Sequence, residues 1–424
     1  MNILPARSVF LAGLLALVAG ACSEPAPVVD TRRLDVTGAS PIDLTIRLQP
    51  EHQRLKDRYA AAVASTLKED AVWLGPYQHQ SLTLVDPPWK KSTAPEGGDV
   101  VVLDRTPWWS AATAMTPELA VARSLGRRRF DEAMKGADLP SWFTRGIVEY
   151  SARRAVLPLF EGQNLSPGYA FFEQRVFDGF VPRFVRIRLL PETDGDPMPA
   201  FRTNQTVRVQ PRPRSAADAR SLEAKTVLIL GTLERWLGRP VLDQVIAEFV
   251  RDARGRRATM ADFARIATEV SGQDLSWLLD QAFGSSSVFD YGVAALDSRP
   301  DEAGMFDTTV VARRYGDGLF TGSSAKPIGP FESGRGVVLR VTFADGEQRT
   351  DYWDGRAREK TFHYRGPARA QSAVVDPDRT MLLDLARTNN SMTLASRSGV
   401  AASVWSARYL LWLQDLLLTY ASLG

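Results

Sequence analysis

The stretch that decides the fold is PELAVARSLGRRRF, at residues 117–130. Val121 and Leu125 recur at helical spacing, which predicts a helix with one face buried in the core. Arg123 and Arg127 are also four residues apart, so two like charges share one side of that helix and repel each other. The helix therefore needs negative partners, either carboxylates of the same chain or an anion from outside.

The composition is that of a globular protein with about two or three domains. The chain has 424 residues, 44% of them hydrophobic, which suffices for a sizeable core. The net charge of +3 arises from many charges of both signs. Because nucleic-acid binding requires a basic face or stripe, this balance argues against a nucleic-acid partner.

The N-terminus has the pattern of an export signal. Arg7 precedes the short apolar run Val9–Ala19, and small residues lead into Cys22. Residues 1–22 therefore read as a signal peptide whose AGAC sequence resembles the bacterial lipoprotein box. Lipidation of Cys22 would anchor the protein in a membrane of the cell envelope, facing the periplasm. The alternative is that Cys22, the only cysteine, lies by chance near an ordinary cleavage site.

Periodicity and turn signals predict an α+β chain. Residues 23–37 are polar and read as a tether, 38–286 as a mainly helical domain, and 287–386 as a small antiparallel β-sandwich. Helices are predicted at 51–74, from 117, and at 139–155, 216–237, 241–254, 260–271 and 275–283. Early strands are predicted at 43–48, 81–85 and 100–103. The tail, 387–424, contains an apolar amphipathic helix at 404–424, which either docks on the body or lies at a membrane surface.

Several ordered segments resemble one known family. GPYQHQSLTLVDPPW, PELAVARSLGRRRF, LPSWFTRGIVEYSARR and KTVLILGTLERWLG follow one another as in the membrane alanyl aminopeptidase-like gluzincin family, and the resemblance covers roughly residues 43–391. It implies a thermolysin-like, mainly helical peptidase domain. Members of that family hydrolyse peptide bonds with zinc, which is held by a His-Glu-x-x-His helix and a carboxylate from the next helix.

The resemblance places this family's zinc site on unsuitable residues. Arg123 and Arg127 stand where the two His ligands would be, and Ser124 replaces the Glu that activates water. Arg145, within WFTRG, replaces the third ligand. Every zinc-binding position that the resemblance identifies is therefore degenerate, and we expect no catalytic metal and no cofactor.

Two further family positions are also replaced. Val100 stands where a strand Glu would grip the substrate amine, and Glu223 stands in place of the Tyr that stabilises the oxyanion. A second register keeps Glu118 as the water-activating residue, but it places Pro117 and Val121 on the His positions. In either register the catalytic set is incomplete.

The histidine count supports this interpretation. The chain has only His52, His79 and His363, and no two are four residues apart. Two enzyme alternatives stay open. One is a residual metallopeptidase with an atypical zinc site that uses Glu118 or Glu149, and the other is a hydrolase of another type, for example one that pairs Ser124 with a remote His.

The arginines suggest two further hypotheses. Arg123, Arg127 and Arg145 could form an anion site for a carboxylate, a phosphate or an acidic partner segment. Alternatively they are paired internally, for example Arg145 with Glu149 or with Glu223. We therefore interpret the chain as an exported pseudoenzyme, a non-catalytic binding or assembly factor whose partner is an envelope protein or peptide segment. A purely structural module of an export or transporter complex is the third alternative.

Overall fold

The computed structural model describes residues 26–36, 40–87, 100–103, 116–160, 201, 213–322, 336–395, 399 and 406. These residues form a mixed α+β fold. Its helices are α1 Lys56–Leu74, α2 Thr116–Ala133, α3 Ser141–Val156, α4 Ala216–Leu237, α5 Arg239–Ala253, α6 Met260–Ser271 and α7 Ser276–Gly284. Its strands are β1 Val28–Leu34, β2 Ile42–Leu48, β3 Ser81–Val85, β4 Val100–Val102, β5 Tyr291–Pro300, β6 Phe306–Arg314, β7 Val337–Phe343, β8 Gln348–Trp353, β9 Glu359–Gly366, β10 Ala370–Val375 and β11 Ser391–Thr393.

The first sheet positions the candidate site. Its strand order is β1-β2-β3-β4, with β1 antiparallel to β2 and with β2, β3 and β4 parallel. Every second residue of β2 is buried, because alternate side chains of a strand point to the same face. Residues of α1 and α2 join these strands in one apolar cluster, which includes Ile42, Leu44, Ile46, Leu48, Tyr59, Val63, Leu67, Val121 and Leu125.

The predicted tether at residues 23–37 is wrong for Val28–Leu34, which form strand β1. This segment pairs with β2 along its whole length, from Val28 opposite Leu48 to Leu34 opposite Ile42. Its alternate residues are only half-buried. An antiparallel strand that faces water on one side needs few apolar residues, so its polar composition concealed the strand periodicity.

The predicted helices between residues 116 and 284 are confirmed, and their ends lie at most two residues from the predicted ones. The first helix, predicted from residue 51, begins as an α-helix at Lys56, after a 3-10 helix at Pro50–Leu55. The start of α6 shows why the prediction works. Thr259 and Asp262 form the predicted capping box, in which the Thr259 amide donates to the Asp262 carboxylate at 2.8 Å. Gly272 ends the helix in the left-handed region, with a φ of 64°.

The predicted antiparallel strands after residue 287 are also confirmed. They form a four-stranded sheet, β11-β10-β7-β8, and a three-stranded sheet, β5-β6-β9. Strands β10 and β11 contact β5, and side chains from both sheets belong to one buried cluster. The sandwich continues past its predicted end at residue 386, because β11 pairs with β10 from Ser372 opposite Thr393.

The loop after β10 attaches the sandwich to α4. The Leu382 amide donates to Thr232 Oγ1 at 3.2 Å, and the Leu382 side chain lies over Gly231, where a β-carbon would collide with it. Asp376 holds this loop in shape by accepting the Thr380 amide at 2.8 Å. The helical part and the sandwich therefore meet through specific contacts.

A buried cation links three helices of the first part. The side chain of Arg154, on α3, is only 7% exposed, and its Nε lies 2.7 Å from Glu69 of α1. Its Nη1 donates to Asp243 of α5 at 2.7 Å. The guanidinium carbon also lies 5.0 Å from the ring centroid of Trp73, a cation–π distance. Because a guanidinium stays charged, burial here depends on both carboxylates.

Two parts of the sequence prediction lie outside the described residues. They are the signal peptide with Cys22, and the C-terminal helix at 404–424 except for residue 406. Among the helices that the structure does describe, none is both long enough and apolar enough to cross a bilayer.

Arg154→Ala is expected to lower the free energy of unfolding by about 3 kcal/mol, because it removes the buried cation and leaves Glu69 and Asp243 with only the more exposed Arg239. Urea denaturation monitored by circular dichroism measures this change. Arg251→Ala is the matched control, since Arg251 is 68% exposed and pairs with Glu248 on the surface. Its expected effect is below about 1 kcal/mol. Equal effects of the two substitutions would contradict the importance of the buried network.

Candidate functional site

A cleft with a volume of about 690 Å³ lies between β4 and the exposed side of α2. Sequence analysis named Val100, Ser124 and Arg127 as site positions, and the structure brings these three residues to this cleft. The complete lining is His79, Val100, Val101, Val102, Ser124, Arg127, Arg128, Asp131, Glu132 and Lys135. The cleft is therefore the candidate functional site.

Helix α2 can line the cleft because its two sides differ. Val121 and Leu125 are fully buried in the cluster that backs the sheet. On the other side, Arg127 and Asp131 are exposed and Arg128 is half-buried. Residues three and four apart lie next to each other on a helix, so these charged groups form one stripe along the cleft.

Arg123, at one predicted zinc-ligand position, is paired across the helix interface. Its Nε donates to Glu149 Oε2 at 2.5 Å and its Nη2 donates to Glu149 Oε1 at 2.7 Å. Glu149 lies on α3, so this bidentate pair joins α2 to α3. A planar guanidinium matches the two oxygens of a carboxylate, which makes such a pair both strong and directional.

Arg145, at the predicted third-ligand position, pairs with Glu223 of α4. Burial raises the pKa of Glu223, and the positive charges of Arg145 and Arg127 act against that rise. The negative charge of Glu149 also raises the pKa of Glu223. These four side chains are thus electrostatic neighbours, and they carry charges of both signs.

A close helix contact sets the position of the Arg145–Glu223 pair. Gly146 follows Arg145 on α3, and a β-carbon at Gly146 would collide with the Thr226 side chain of α4. Glycine therefore allows the two helices to approach. This approach brings residue 145 of one helix beside residue 223 of the other.

Two of the three arginines of the predicted anion site are paired with carboxylates of the same chain. Arg123 and Arg145 each have a carboxylate partner, as in the internal-pairing hypothesis, and Arg145 pairs with Glu223 rather than with Glu149. Arg127 instead lines the open cleft. An anion site made of all three arginines stays a prediction.

Strand β4 forms the other wall of the cleft and is the edge strand of the first sheet within the described residues. Val101 pairs with Leu84 of β3, and the Leu103 amide donates to Val85 O at 2.9 Å. Arg128 Nη1 donates to the carbonyl oxygen of Val100 at 3.3 Å. A side chain of α2 therefore contacts the backbone of the edge strand across the cleft.

Glu118, which the second register keeps as the water-activating residue, is buried and paired. Arg58 of α1 donates to its two oxygens at 2.5 and 2.8 Å, and Glu118 is 3% exposed. A carboxylate held this way ties the start of α2 to α1, and it does not line the cleft.

The three histidines lie in separate places. His79 lines the cleft, and His363 on β9 lies 3.3 Å from the Thr309 hydroxyl of β6. His52 is buried, with its Nδ1 2.6 Å from Asp86 Oδ2, and this contact raises the pKa of His52. In the ranges that the structure describes, no three His, Cys, Asp or Glu side chains are grouped to hold a metal ion.

The His52–Asp86 pair was not found from the sequence, although a signal for it existed. His52 follows β2 and Asp86 follows β3, and these two strands are parallel neighbours. The carboxyl ends of parallel strands meet at one edge of a sheet, so polar residues just after each strand come close together.

A second cavity, of about 350 Å³, adjoins the cleft and shares His79, Glu132 and Lys135 with it. Its other lining residues come from the end of α1, from α2 and from the turn after α5: Leu74, Pro76, Tyr77, Gln78, Arg129, Ala133, Arg254 and Gly255. The two cavities together form a groove along the exposed side of α2.

The comparisons with known proteins add one named structure. No protein-family model matches the chain, and no curated protein matches it. Aminopeptidase A of Legionella pneumophila, solved in complex with aspartic acid, resembles the chain with a TM-score of 0.47 and 13% sequence identity. The match covers 84% of this chain and 38% of that chain, so this chain spans well under half of that protein's length.

Lys225, two residues after Glu223, is a buried cation that the sequence did not single out. It is 2% exposed, and its Nζ donates to the Ser285 carbonyl at 3.2 Å, at the end of α7. Burial lowers the pKa of Lys225 to about 8. Because the charged form is disfavoured in the folded state, this lysine makes folding pH-dependent.

Lys225→Met is expected to raise the free energy of unfolding at pH 7 by up to about 3 kcal/mol, the equivalent of the pKa shift. The unfolded chain binds more protons than the folded chain between pH 8 and the ordinary lysine pKa of 10.5. The wild type therefore gains stability relative to the variant as the pH rises through this window. Urea denaturation at pH 7 and pH 10 measures the difference, and a gap that widens with pH would contradict the assignment.

Proposed function

We propose that this protein is an exported, catalytically inactive homologue of the gluzincin aminopeptidases that binds peptide segments in the cleft between β4 and α2. The observation that carries the proposal is the pairing of Arg123 with Glu149 and of Arg145 with Glu223. At these positions the family resemblance, with its thermolysin-like domain, would require zinc ligands. Two guanidinium–carboxylate pairs occupy them instead.

Elementary metal chemistry supports a non-catalytic role. A guanidinium has no free electron pair to donate and remains positively charged, so it repels a divalent cation. The nearby carboxylates of Glu149 and Glu223 already face arginines. Glu118, the remaining carboxylate of the alternative register, faces Arg58. None of these three carboxylates presents an uncompensated negative charge to a metal ion.

Backbone geometry supports peptide binding. An edge strand offers unpaired amide and carbonyl groups, to which an extended segment can add as a further strand. The cleft beside β4 has room for such a segment, and charged side chains from α2 line its opposite wall. The partner that we propose is an extended peptide or a segment of an envelope protein.

Hydrolysis by Ser124 is the second candidate function, because Ser124 and His79 line the same cleft. A nucleophilic serine requires a base within hydrogen-bond reach. If purified protein hydrolyses amino-acid p-nitroanilides or p-nitrophenyl esters, Ser124→Ala and His79→Ala are each expected to abolish that activity under this second function.

Restoring the family's ligands tests the proposed origin of the site. The variant Arg123→His, Ser124→Glu, Arg127→His, Arg145→Glu is expected to bind about one zinc ion per chain, because His residues four apart on a helix face the same metal. Wild-type protein is expected to contain no stoichiometric zinc. Inductively coupled plasma mass spectrometry after dialysis against zinc measures both.

The matched control carries Gln instead of His at residues 123 and 127, with the other two substitutions unchanged, and it is expected to bind no zinc. Stoichiometric zinc in the wild type that is lost on Glu149→Gln or Glu118→Gln would overturn the inactive assignment. If the variant with all four substitutions folds but binds no zinc, that result would argue against descent of this site from a zinc centre.

Membrane attachment through Cys22 is part of the proposal. Cys22→Ser is expected to move the protein from the detergent phase to the aqueous phase in Triton X-114 partitioning, because the lipid anchor can no longer be attached. Deletion of residues 404–424 is the parallel variant. If only that deletion releases the protein, the C-terminal helix rather than Cys22 is the anchor.

A further inference from the structure

We propose that the second cavity, of about 350 Å³, binds a small organic anion whose carboxylate or phosphate group is held by Arg129, Lys135 and Arg254. The cavity lies between the end of α1, the last turns of α2 and the turn after α5. It is a different place from the three-arginine site that the sequence predicts. The proposal does not require that β4 bind a peptide, so each can be tested without the other.

Arg129 is the buried cation of this cavity. Its side chain is only 8% exposed. Its Nη2 donates to the Gly75 carbonyl at 2.6 Å, whereas Nη1 has no hydrogen-bond partner and lies 3.7 Å from Asp70 Oδ2. Asp70 therefore offsets the charge of Arg129 without accepting a hydrogen bond from it. A buried donor without an acceptor is costly, and an oxyanion supplies a charge-assisted acceptor.

Arg254 is fixed at the same end of α1. Its Nη2 donates to the Leu74 carbonyl at 2.9 Å, next to the Gly75 carbonyl that accepts from Arg129. Two guanidinium groups are therefore oriented by neighbouring carbonyls of one helix terminus. Each of these hydrogen bonds uses one of the five donors of its guanidinium. Both groups are held in position beside the cavity and keep donors for a further acceptor, which lowers the entropic cost of binding one.

The cations of the cavity are not neutralised by neighbouring carboxylates. Among the described residues, no carboxylate lies within ion-pair distance of Lys135 or Arg254. The nearby Arg257, by contrast, pairs with Asp138 at 2.9 Å. Glu132 is the one carboxylate among the residues that line the cavity. The lining therefore favours an anion, and Glu132 opposes it.

An apolar wall determines what kind of anion fits. Leu74, Pro76, Ala133 and the ring of Tyr77 line the cavity together with the cations. The Tyr77 ring packs edge-on against the ring of His79, with 5.2 Å between their centroids. Ligand pockets range from about 300 to 1,000 Å³, so this cavity is at the small end. It suits an oxyanion on a compact apolar body, such as a single aromatic ring.

Helix capping is the alternative explanation of the two arginines, because cations stabilise the carbonyls at the end of a helix. Capping involves only Arg129 and Arg254, which donate to those carbonyls. Lys135 and Glu132 line the cavity and have no part in the capping. Their effects on anion binding therefore distinguish a ligand site from a cap.

Fluorine NMR titration of the full-length chain tests the proposal with three probes, which are p-fluorobenzoate, p-fluorophenyl phosphate and the neutral p-fluorobenzamide. At least one of the two anions is expected to bind about tenfold more tightly than the amide, the ratio for a hydrogen bond to a charged group. Added salt is expected to weaken this binding, because it screens the charges. The tighter anion identifies the group as a carboxylate or a phosphate. If neither anion binds, or if the amide binds as tightly, the proposal is overturned.

Substitutions locate the bound anion. Lys135→Gln and Arg254→Gln are each expected to weaken binding about tenfold. Glu132→Gln is expected to tighten binding about threefold, because it removes the opposing charge. Arg257→Gln is the matched control, since Arg257 is 80% exposed and lies outside the cavity lining, and it is expected to leave binding unchanged.

All four substituted side chains are exposed, so the variants are expected to fold, and thermal unfolding verifies this. Equal weakening by Arg257→Gln and Arg254→Gln would show a general charge effect and overturn the site. Unchanged binding in Lys135→Gln, with or without an effect of Arg254→Gln, would also overturn it and leave Arg129 and Arg254 as a helix cap.

Discussion

The structure around the cleft depends on one electrostatic constraint, which is that every guanidinium at the interface of α2, α3 and α4 must face a carboxylate. Arg123 on α2 is half-buried against α3, where a charge without a counter-charge is costly. Glu149 meets it with both oxygens, and Arg145 pairs with Glu223 through its Nε one helix further on. Each pair joins neighbouring helices, so these charges also hold the helices beside the cleft in place. Gly146 makes this possible, because it lets α3 approach α4 until the side chains at residues 145 and 223 can pair.

The same rule governs the deeper part of the helical domain. Arg154 forms ion pairs with Glu69 and Asp243, which lie on two other helices. Arg58 forms an ion pair with Glu118 at the start of α2. Apolar side chains supply the driving force for packing, but they are tolerant of small rotations and shifts. A bidentate guanidinium–carboxylate pair has one good geometry. We interpret the pairs as the contacts that fix the relative positions of α1, α2, α3 and α5, and therefore the width of the cleft that α2 borders.

The sequence was sufficient to predict structure wherever the signal was local. Helix periodicity and caps predict α4 and α6 residue by residue, and alternation predicts the strands of the sandwich.

The prediction failed for β1, an edge strand with polar residues on its open face, because the stability of β1 comes from backbone pairing with β2. It also failed to find the partners of Arg58 and His52, which lie 60 and 34 residues away along the chain. Pairing at that distance depends on how elements are packed, and no spacing within one segment encodes it. Val100, Ser124 and Arg127 could be placed together only through the family resemblance, since nothing in their own neighbourhoods links a strand to a helix.

Loss of a catalytic site and loss of a binding site are different events, because the two depend on different atoms. Zinc chemistry requires particular side chains that coordinate the metal. Strand addition to β4 requires main-chain amides and carbonyls, which no substitution short of proline or a break in the sheet removes. The contacts that keep β4 in register, with Val101 opposite Leu84 and the Leu103 amide on Val85, involve no side chain of α2 or α3. Under the proposed function, a chain without a zinc site can therefore still present this edge to a peptide. The side chain that contacts this edge from α2 is Arg128, whose Nη1 donates to the Val100 carbonyl oxygen, so the backbone of β4 and the charges of α2 border the same cleft.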